Sequence, residues 1–182
     1  MKKWNRIKTT TAYSSRIFDL REIRCHHPAL DVTSDFLVLE TRDWINIVAQ
    51  DESDRFILVK QHRLGTDELT LETPGGLVEE GERPEDTARR ELLEETGYDA
   101  GAMVLMKKLS ANPAILNNHI YFFHATGCRK VSDQSLDPSE DIEIHTATEA
   151  EILEMIRTGE MSHSVVVTAF SLYFFKSFRV YT

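Results

Sequence analysis

Apolar and β-branched residues gather in short runs along the first two-thirds of the chain. From Arg16 to Arg24 they recur loosely, predicting a strand closed by His26-His27-Pro28. Phe36-Leu37-Val38-Leu39, Trp44-Ile45-Asn46-Ile47-Val48 and Arg55–Gln61 have the β-rich composition of strands, and Asp51-Glu52-Ser53-Asp54 between the last two predicts a polar hairpin turn. Thr73-Pro74-Gly75-Gly76 is expected to break any regular element. A helix follows with clear ends: Pro84 suits its first turn, Glu85 and Asp86 complement its N-terminal dipole, and Gly97 suits the position just past Thr96. Ile120-Tyr121-Phe122-Phe123 predicts a buried strand, Leu136 to Asp141 an acidic loop, and Glu149 to Arg157 a helix stopped by Gly159. Ser164 to Phe178 predicts a mostly buried helix. Strands on both sides of a central helix, with helices at the end, make an α+β layered domain.

Length narrows this picture to one domain. The 182 residues show no repeat, linker or low-complexity tract, so residues 1–182 are expected to form a single domain. Apolar residues at 41% and charged residues at 28% are globular values. Thirty acids against 21 bases leave a net charge of −9, which argues against nucleic acid as a partner because phosphate contacts need clustered Lys and Arg. The same balance permits divalent cations. Cys25 and Cys128 are expected to be reduced thiols. Basic residues at the N-terminus have no apolar run behind them, and Val165 to Phe178 is too short for about 30 Å of hydrocarbon. A soluble, cytoplasmic protein with no membrane partner is the expectation.

The chemistry concentrates between Gly76 and Tyr98. Those 23 residues hold eight acids against three arginines, a net of −5. On a helix, Glu91 and Glu95 stack at i,i+4 with Glu94 beside them at i+3. Like charges at that spacing repel, and a hard divalent cation that takes carboxylate and phosphate oxygens together is the natural compensator. Arg90 lies four before Glu94 and is placed to reach back to Glu82.

The segment has the spacing G-x5-E-x7-R-E-L-x-E-E-x-G-Y through Gly76, Glu82, Arg90, Glu91, Leu92, Glu94, Glu95, Gly97 and Tyr98. It thereby resembles the complete box of the Nudix hydrolases. That resemblance implies an α/β/α sandwich, with a mixed β-sheet between helices and the box as a loop–helix–loop. It implies hydrolysis of a nucleoside diphosphate linked to another moiety, with Mg²⁺ or Mn²⁺ as cofactor. Carried onto this chain, it makes Glu91 and Glu95 the principal metal ligands and the Gly75 carbonyl a further one. Glu94 stands adjacent, and Glu82 with Arg90 forms a supporting ion pair.

Features outside the box resemble the ADP-ribose pyrophosphatase and nucleoside diphosphate sugar hydrolase subgroup. Gln61-His62-Arg63 resembles its Q-x-R, which implies that Arg63 contacts the diphosphate. Pro113, 16 residues past Gly97, occupies the place of the subgroup's marker proline, although Ser110-Ala111-Asn112 differs from the usual flanking sequence. Ser139-Glu140-Asp141-Ile142-Glu143 resembles the loop that supplies a late catalytic Glu; Glu140 is then the general base, with Glu143 as the alternative. Lys3 to Thr10 resembles the start of the eukaryotic ADP-sugar pyrophosphatases, which implies base stacking by Trp4 and, from a partner chain, Phe18. It also implies a homodimer that exchanges N-terminal strands from about residues 1–40. Two alternatives stay open: a house-cleaning (d)NTP pyrophosphatase and a nucleotide-sensing module without turnover. The seven histidines lack a metal-ligand spacing, and neither a Walker A loop nor a G-x-S-x-G elbow occurs.

Overall fold

The computed structural model describes residues 1–177. The chain divides into two compact units, one of Met1–Asp43 with Leu109–Ile120, the other of Trp44–Lys108 with the residues from Tyr121 onward.

The first unit is built on a three-stranded antiparallel meander: β1 (Asn5–Ser14), β2 (Phe18–His27) and β3 (Val32–Thr41), in that order. The register runs from Asn5 opposite His26 to Ser14 opposite Asp19, and from Phe18 opposite Thr41 to His27 opposite Val32. The segment holding Pro113 folds back as a turn, in which the N–H groups of Ile115 and Leu116 donate to the Asn112 carbonyl. It is tied to β3 through the Leu39 N–H on the Ile115 carbonyl (2.8 Å).

The second unit carries the larger sheet. β4 (Trp44–Asp51), β5 (Phe56–Arg63), β10 (His119–Lys130), β8 (Tyr98–Asp99) and β11 (Glu143–Ala147) run in the order β11-β5-β4-β10-β8. β6 (Glu68–Glu72) pairs with β5, β7 (Gly75–Leu77) with β4, and β9 (Ala102–Ser110) with β10. Alternation sends neighbouring side chains to opposite faces. On one face Ile45, Ile47, Ala49 and Ile57 pack with Ala88 and Leu92 of α1 (Pro84–Thr96). On the other, Phe56 meets Phe170 of α3 (Ser164–Ser177) edge to face, with ring centroids 5.3 Å apart. Helices therefore cover both faces, as the α/β/α expectation required. α2 (Glu149–Thr158) begins with a capping box between Thr148 and Glu151. Phe178, the predicted end of α3, lies outside the described residues.

The three helices begin where predicted and β5 matches within two residues, whereas β2, β3, β4 and β10 run three to seven residues beyond a predicted end, and one expectation fails in part. Thr73 and Pro74 do separate β6 from β7, but Gly75 and Gly76 do not break the ladder: they enter β7, opposite Asn46 and Ile45. A ladder needs only backbone N–H and C=O groups, and the absent side chains permit a close approach. A Cβ on Gly75 would sit 2.6 Å from the Ile45 carbonyl oxygen, and one on Gly76 would collide with the Glu91 carboxylate.

α1 ends as the sequence predicts. Gly97 takes φ +69° and its N–H donates to the Leu93 carbonyl (2.7 Å). A side chain there would be strained by the left-handed backbone and would meet Lys130 Nζ at 2.8 Å as well as the Ser132 carbonyl. Gly97→Ala is expected to destabilise the protein by about 2 kcal/mol or more, since the left-handed conformation alone costs roughly 1–2 kcal/mol. Chemical denaturation monitored by circular dichroism measures this; an unchanged midpoint and slope would contradict it.

Candidate active site

α1 presents Thr87, Ala88, Leu92, Glu95 and Thr96 to the interior. One member of that stripe is a carboxylic acid. Glu95 is only 5% exposed, and Glu91 borders the same stripe one turn earlier. The Gly75 N–H of β7 donates to Glu95 Oε2 (3.1 Å), which places the Gly75 peptide beside the acid. Burial is the main cause that drives the Glu95 carboxyl up from its ordinary 4.5 to about 8, and the charges of Glu91 and Glu140 add to it. Burial likewise lifts Glu91 to about 7, with Glu94 and Glu140 adding and Arg90 opposing. Without a bound cation, both acids therefore bind protons more tightly than a free glutamate does.

Arg90 ties the remaining acids to this pair. Its Nε and Nη2 each donate to the Glu82 carboxylate at 3.2 Å, while Nη1 reaches Glu91 Oε1 (3.0 Å) and Glu94 Oε2 (2.8 Å). The Thr87 hydroxyl donates to Glu82 Oε2 (2.8 Å). Hydrogen bonds from Arg90, chiefly, hold Glu82 below the ordinary carboxylate range. Arg90 therefore links Glu82, in the loop before α1, to Glu91 and Glu94 on the helix.

Glu140 reaches the cluster through its loop. The Gln134 amide donates to the carbonyls of Glu95 (2.7 Å) and Ile142 (3.0 Å), and the Ser135 N–H donates to the Glu94 carbonyl (2.9 Å). These bonds fasten the acidic loop to the end of α1. Glu140 Oε2 itself accepts the Asp137 N–H (3.0 Å). Glu143 opens β11 opposite Lys60, with its carboxylate 3.4 Å from His145 Nε2.

Arg63 ends β5 and is held by a residue that sequence reasoning missed. Its Nε and Nη2 donate to the two oxygens of Glu72 at 2.7 and 2.6 Å, and the Thr70 hydroxyl donates to Glu72 Oε1 (2.6 Å). Glu72 is 3% exposed, while the Arg63 side chain keeps 44% of its surface in water. Burial pulls the Glu72 carboxyl upward, but hydrogen bonds from Arg63 and Thr70 outweigh it and leave the group ionised, below the ordinary range. Arg63 is thus an oriented cation, and it lies close enough to Glu95 for each to favour the other's charge. Nothing in the sequence flagged Glu72, an isolated acid inside a short strand.

The second unit therefore gathers Arg63, Gly75, Glu82, Arg90, Glu91, Glu94, Glu95 and Glu140. Trp4, Phe18 and Pro113 belong to the first unit. There Trp4 meets His27 and Phe36 edge to face, each at 5.0 Å, and Phe18 lies 6.1 Å from Tyr13.

Among the described residues no three His, Cys, Asp or Glu side chains form a closed metal cage. The donor set is instead two desolvated carboxylates on successive turns, beside a backbone peptide and with Glu140 nearby. That suits a hard divalent ion of the magnesium type, which is commonly held by one or two carboxylates while phosphate oxygens and water fill its other positions.

A sheet covered by helices on both faces, with a glycine-entered acidic helix bearing this network, defines the class. The profile of the NUDIX domain matches residues 41–169, and the chain belongs to the Nudix family. The methanol dehydrogenase activator of Bacillus methanolicus is 28% identical over 164 residues, covering 90% of this chain and 88% of that one. The ADP-ribose pyrophosphatase of Bacillus subtilis is 30% identical over 118 residues, 64% of either chain. The crystal structure of an ADP compounds hydrolase superposes with a TM-score of 0.85 over 95% of this chain and 93% of that one, at 23% identity, which shows the shared fold.

A pH dependence follows from the two lifted carboxyls. The metal-free folded chain binds protons more tightly than the unfolded one, so these groups contribute stability that is fully present below about 4.5 and lost as pH rises towards 8. In the presence of a chelator, Glu95→Gln is expected to raise the melting temperature at pH 8 while changing it much less at pH 5. Parallel wild-type and variant curves across that range would show that Glu95 is not the group responsible.

Proposed function

We propose that this protein hydrolyses the pyrophosphate bond of nucleoside diphosphate sugars, ADP-ribose among them, giving a nucleoside monophosphate and a sugar phosphate. The observation that carries the reading is the pair Glu91 and Glu95, desolvated on the core-facing side of α1 with the oriented Arg63 guanidinium within electrostatic reach. Such a site has an unmet demand for positive charge and a cation ready for phosphate. The similarity to an ADP-ribose pyrophosphatase supports the substrate class.

Glu91 and Glu95, with the Gly75 carbonyl, would hold Mg²⁺ or Mn²⁺. When bound, such an ion neutralises phosphate charge and polarises the phosphorus–oxygen bonds for in-line displacement. Arg63 binds a diphosphate oxygen with the edge that Glu72 leaves free and keeps its charge throughout. Glu140 accepts the proton of the attacking water. Arg90, anchored on Glu82, fixes the rotamers of Glu91 and Glu94 and prevents their mutual repulsion from splaying the helix. Trp4, Phe18 and Pro113 are proposed to contribute to substrate binding in a homodimer. Support for that assembly comes from β1, where Ile7 and Tyr13 stand in water. No described helix is long and apolar enough to cross a membrane.

A panel of nucleotide sugars and nucleoside triphosphates, with each divalent ion and products identified by mass, tests the reading. AMP and ribose 5-phosphate from ADP-ribose are the expected products, and activity should vanish with a chelator. Turnover of dNTPs to inorganic pyrophosphate, with nucleotide sugars left intact, would overturn it in favour of a house-cleaning role. Glu140→Gln is expected to lower kcat by about 100-fold or more while KM moves within threefold, as for loss of a general base. A rise in KM with little change in kcat would make Glu140 a binding residue instead.

A further inference from the structure

Beside Arg63 the second unit contains a cleft of about 470 Å³ to which the network above assigns no role. It lies within the size range of small-molecule sites, roughly 300–1,000 Å³. One wall is the turn between β5 and β6 with Thr66, continued by Glu68 and Thr70 of β6; the other is the approach to α3 with Ser162 and His163, and Arg63 joins them.

The lining selects an occupant by its chemistry. The Ser162 hydroxyl, the Glu68 carboxylate and one imidazole offer donors and acceptors on several sides; the Thr66 hydroxyl, held only by a long 3.5 Å bond to the Arg63 carbonyl, joins them, while the Thr70 hydroxyl, which donates to Glu72, can only accept. Among the described residues no Phe, Tyr or Trp lines the cleft, so these residues offer no flat apolar plate for stacking a nucleobase. A polyhydroxylated ring is the better match. Arg63 adds the means to hold a phosphate on that ring, and Glu72 keeps the guanidinium aligned.

His163 has a defined tautomer. Its Nδ1 accepts the Val165 N–H at 3.2 Å, so in the neutral ring the proton sits on Nε2, which becomes a donor. The imidazole also lies close enough to Glu72 to act on its charge, which ties this wall of the cleft to the Arg63 clamp.

We propose that this cleft is the subsite for the sugar-phosphate half of the substrate, with His163 Nε2–H and the Thr66 hydroxyl selecting the sugar and Arg63 holding its phosphate. The assignment rests on the nucleotide-sugar reading of the site. It places the specificity for the sugar on the β5–β6 turn and on the residues before α3, outside the box.

Calorimetric titration of the full chain with each product separately, AMP and ribose 5-phosphate, in the presence of Mg²⁺, tests it without depending on turnover. His163→Asn keeps an acceptor for the Val165 N–H but loses the Nε2 donor, and Thr66→Val removes a hydroxyl from the opposite wall. Each variant is expected to weaken ribose 5-phosphate binding by about tenfold, the effect of one lost hydrogen bond. AMP binding should stay within twofold. With ADP-ribose as substrate, KM should rise by a similar factor and kcat should change less than threefold. Weakened AMP binding with unchanged ribose 5-phosphate binding would give the cleft to the nucleotide half and overturn the proposal. So would a wild-type chain that cleaves ADP-ribose while neither variant alters the sugar-phosphate affinity, or one that does not bind ribose 5-phosphate at all. Failure of the wild type to cleave any nucleotide sugar would instead sink the functional reading on which the proposal rests.

Discussion

Two carboxyl groups occupy the side of a helix that packs against a sheet, where apolar residues would stabilise the fold more. Ala88 and Leu92 fill that stripe as a core requires, and Glu95 follows on it, almost wholly removed from water. Burying an ionised carboxylate costs several kcal/mol unless something compensates. The chain compensates in part: the Gly75 N–H bonds Glu95, and Arg90 bonds Glu91. The remaining cost appears as raised proton affinity on both acids. Such an arrangement is under-stabilised by itself and would gain from the cation proposed for it. The surrounding backbone fixes where the two acids lie. β7 must pair with β4 to bring the Gly75 peptide against Glu95, and Gly76 must lack a side chain for Glu91 to lie over the strand.

Arg63 solves the opposite problem. A free arginine near several acids would collapse onto whichever is closest, and the −9 charge of the chain offers many. Glu72 fixes the matter by engaging two of its nitrogens from a buried position, with Thr70 holding Glu72 in turn. A bidentate pair of this kind restricts the guanidinium to one plane and leaves its remaining N–H groups for a ligand. In the proposed function, the charges are thus separated into a carboxylate pair for the cation and a prepaired arginine for phosphate.

How much of this was legible in the sequence depended on how the signal is carried. α1 was legible to the residue, because Pro84 and Gly97 mark its ends and the spacing of Glu82, Arg90, Glu91, Glu94 and Glu95 is dense and fixed. The link from Arg90 to Glu82 followed from the same spacing. Glu72 was invisible because its partner lies across a hairpin, nine residues away in sequence, and strand pairing leaves no local trace. Gln134, which fastens the Glu140 loop to α1, was hidden for the same reason. β1 escaped notice because Asn5–Ser14 alternates little: no residue in it is buried, so no period of two was imposed on its sequence. β9 alternates only weakly, with Met103 its one buried position. The glycines at 75 and 76 misled in the other direction, since a pairing that needs close backbone approach looks like a break when only propensities are read.

The first unit poses a physical question that the second does not. Of its three strands, only Ile23, Cys25 and His27 on β2 are buried, while Ile7, Tyr13, Phe36 and Leu37 stand in water. A small sheet with so much apolar surface left in water is marginal, and a second copy of the chain would cover that surface in the proposed homodimer. The base stacking proposed for the aromatic positions requires the same arrangement. Trp4 precedes the Asn5–His26 end of the ladder, whereas Phe18 lies eight residues away along β2. At about 3.4 Å per residue the two ends are roughly 27 Å apart, far beyond the span of one stacked base. Within one chain the two rings cannot grip a common ligand, so joint base stacking by Trp4 and Phe18 requires that they come from different copies. The two functions proposed for the N-terminal sheet, assembly and base recognition, therefore stand or fall together.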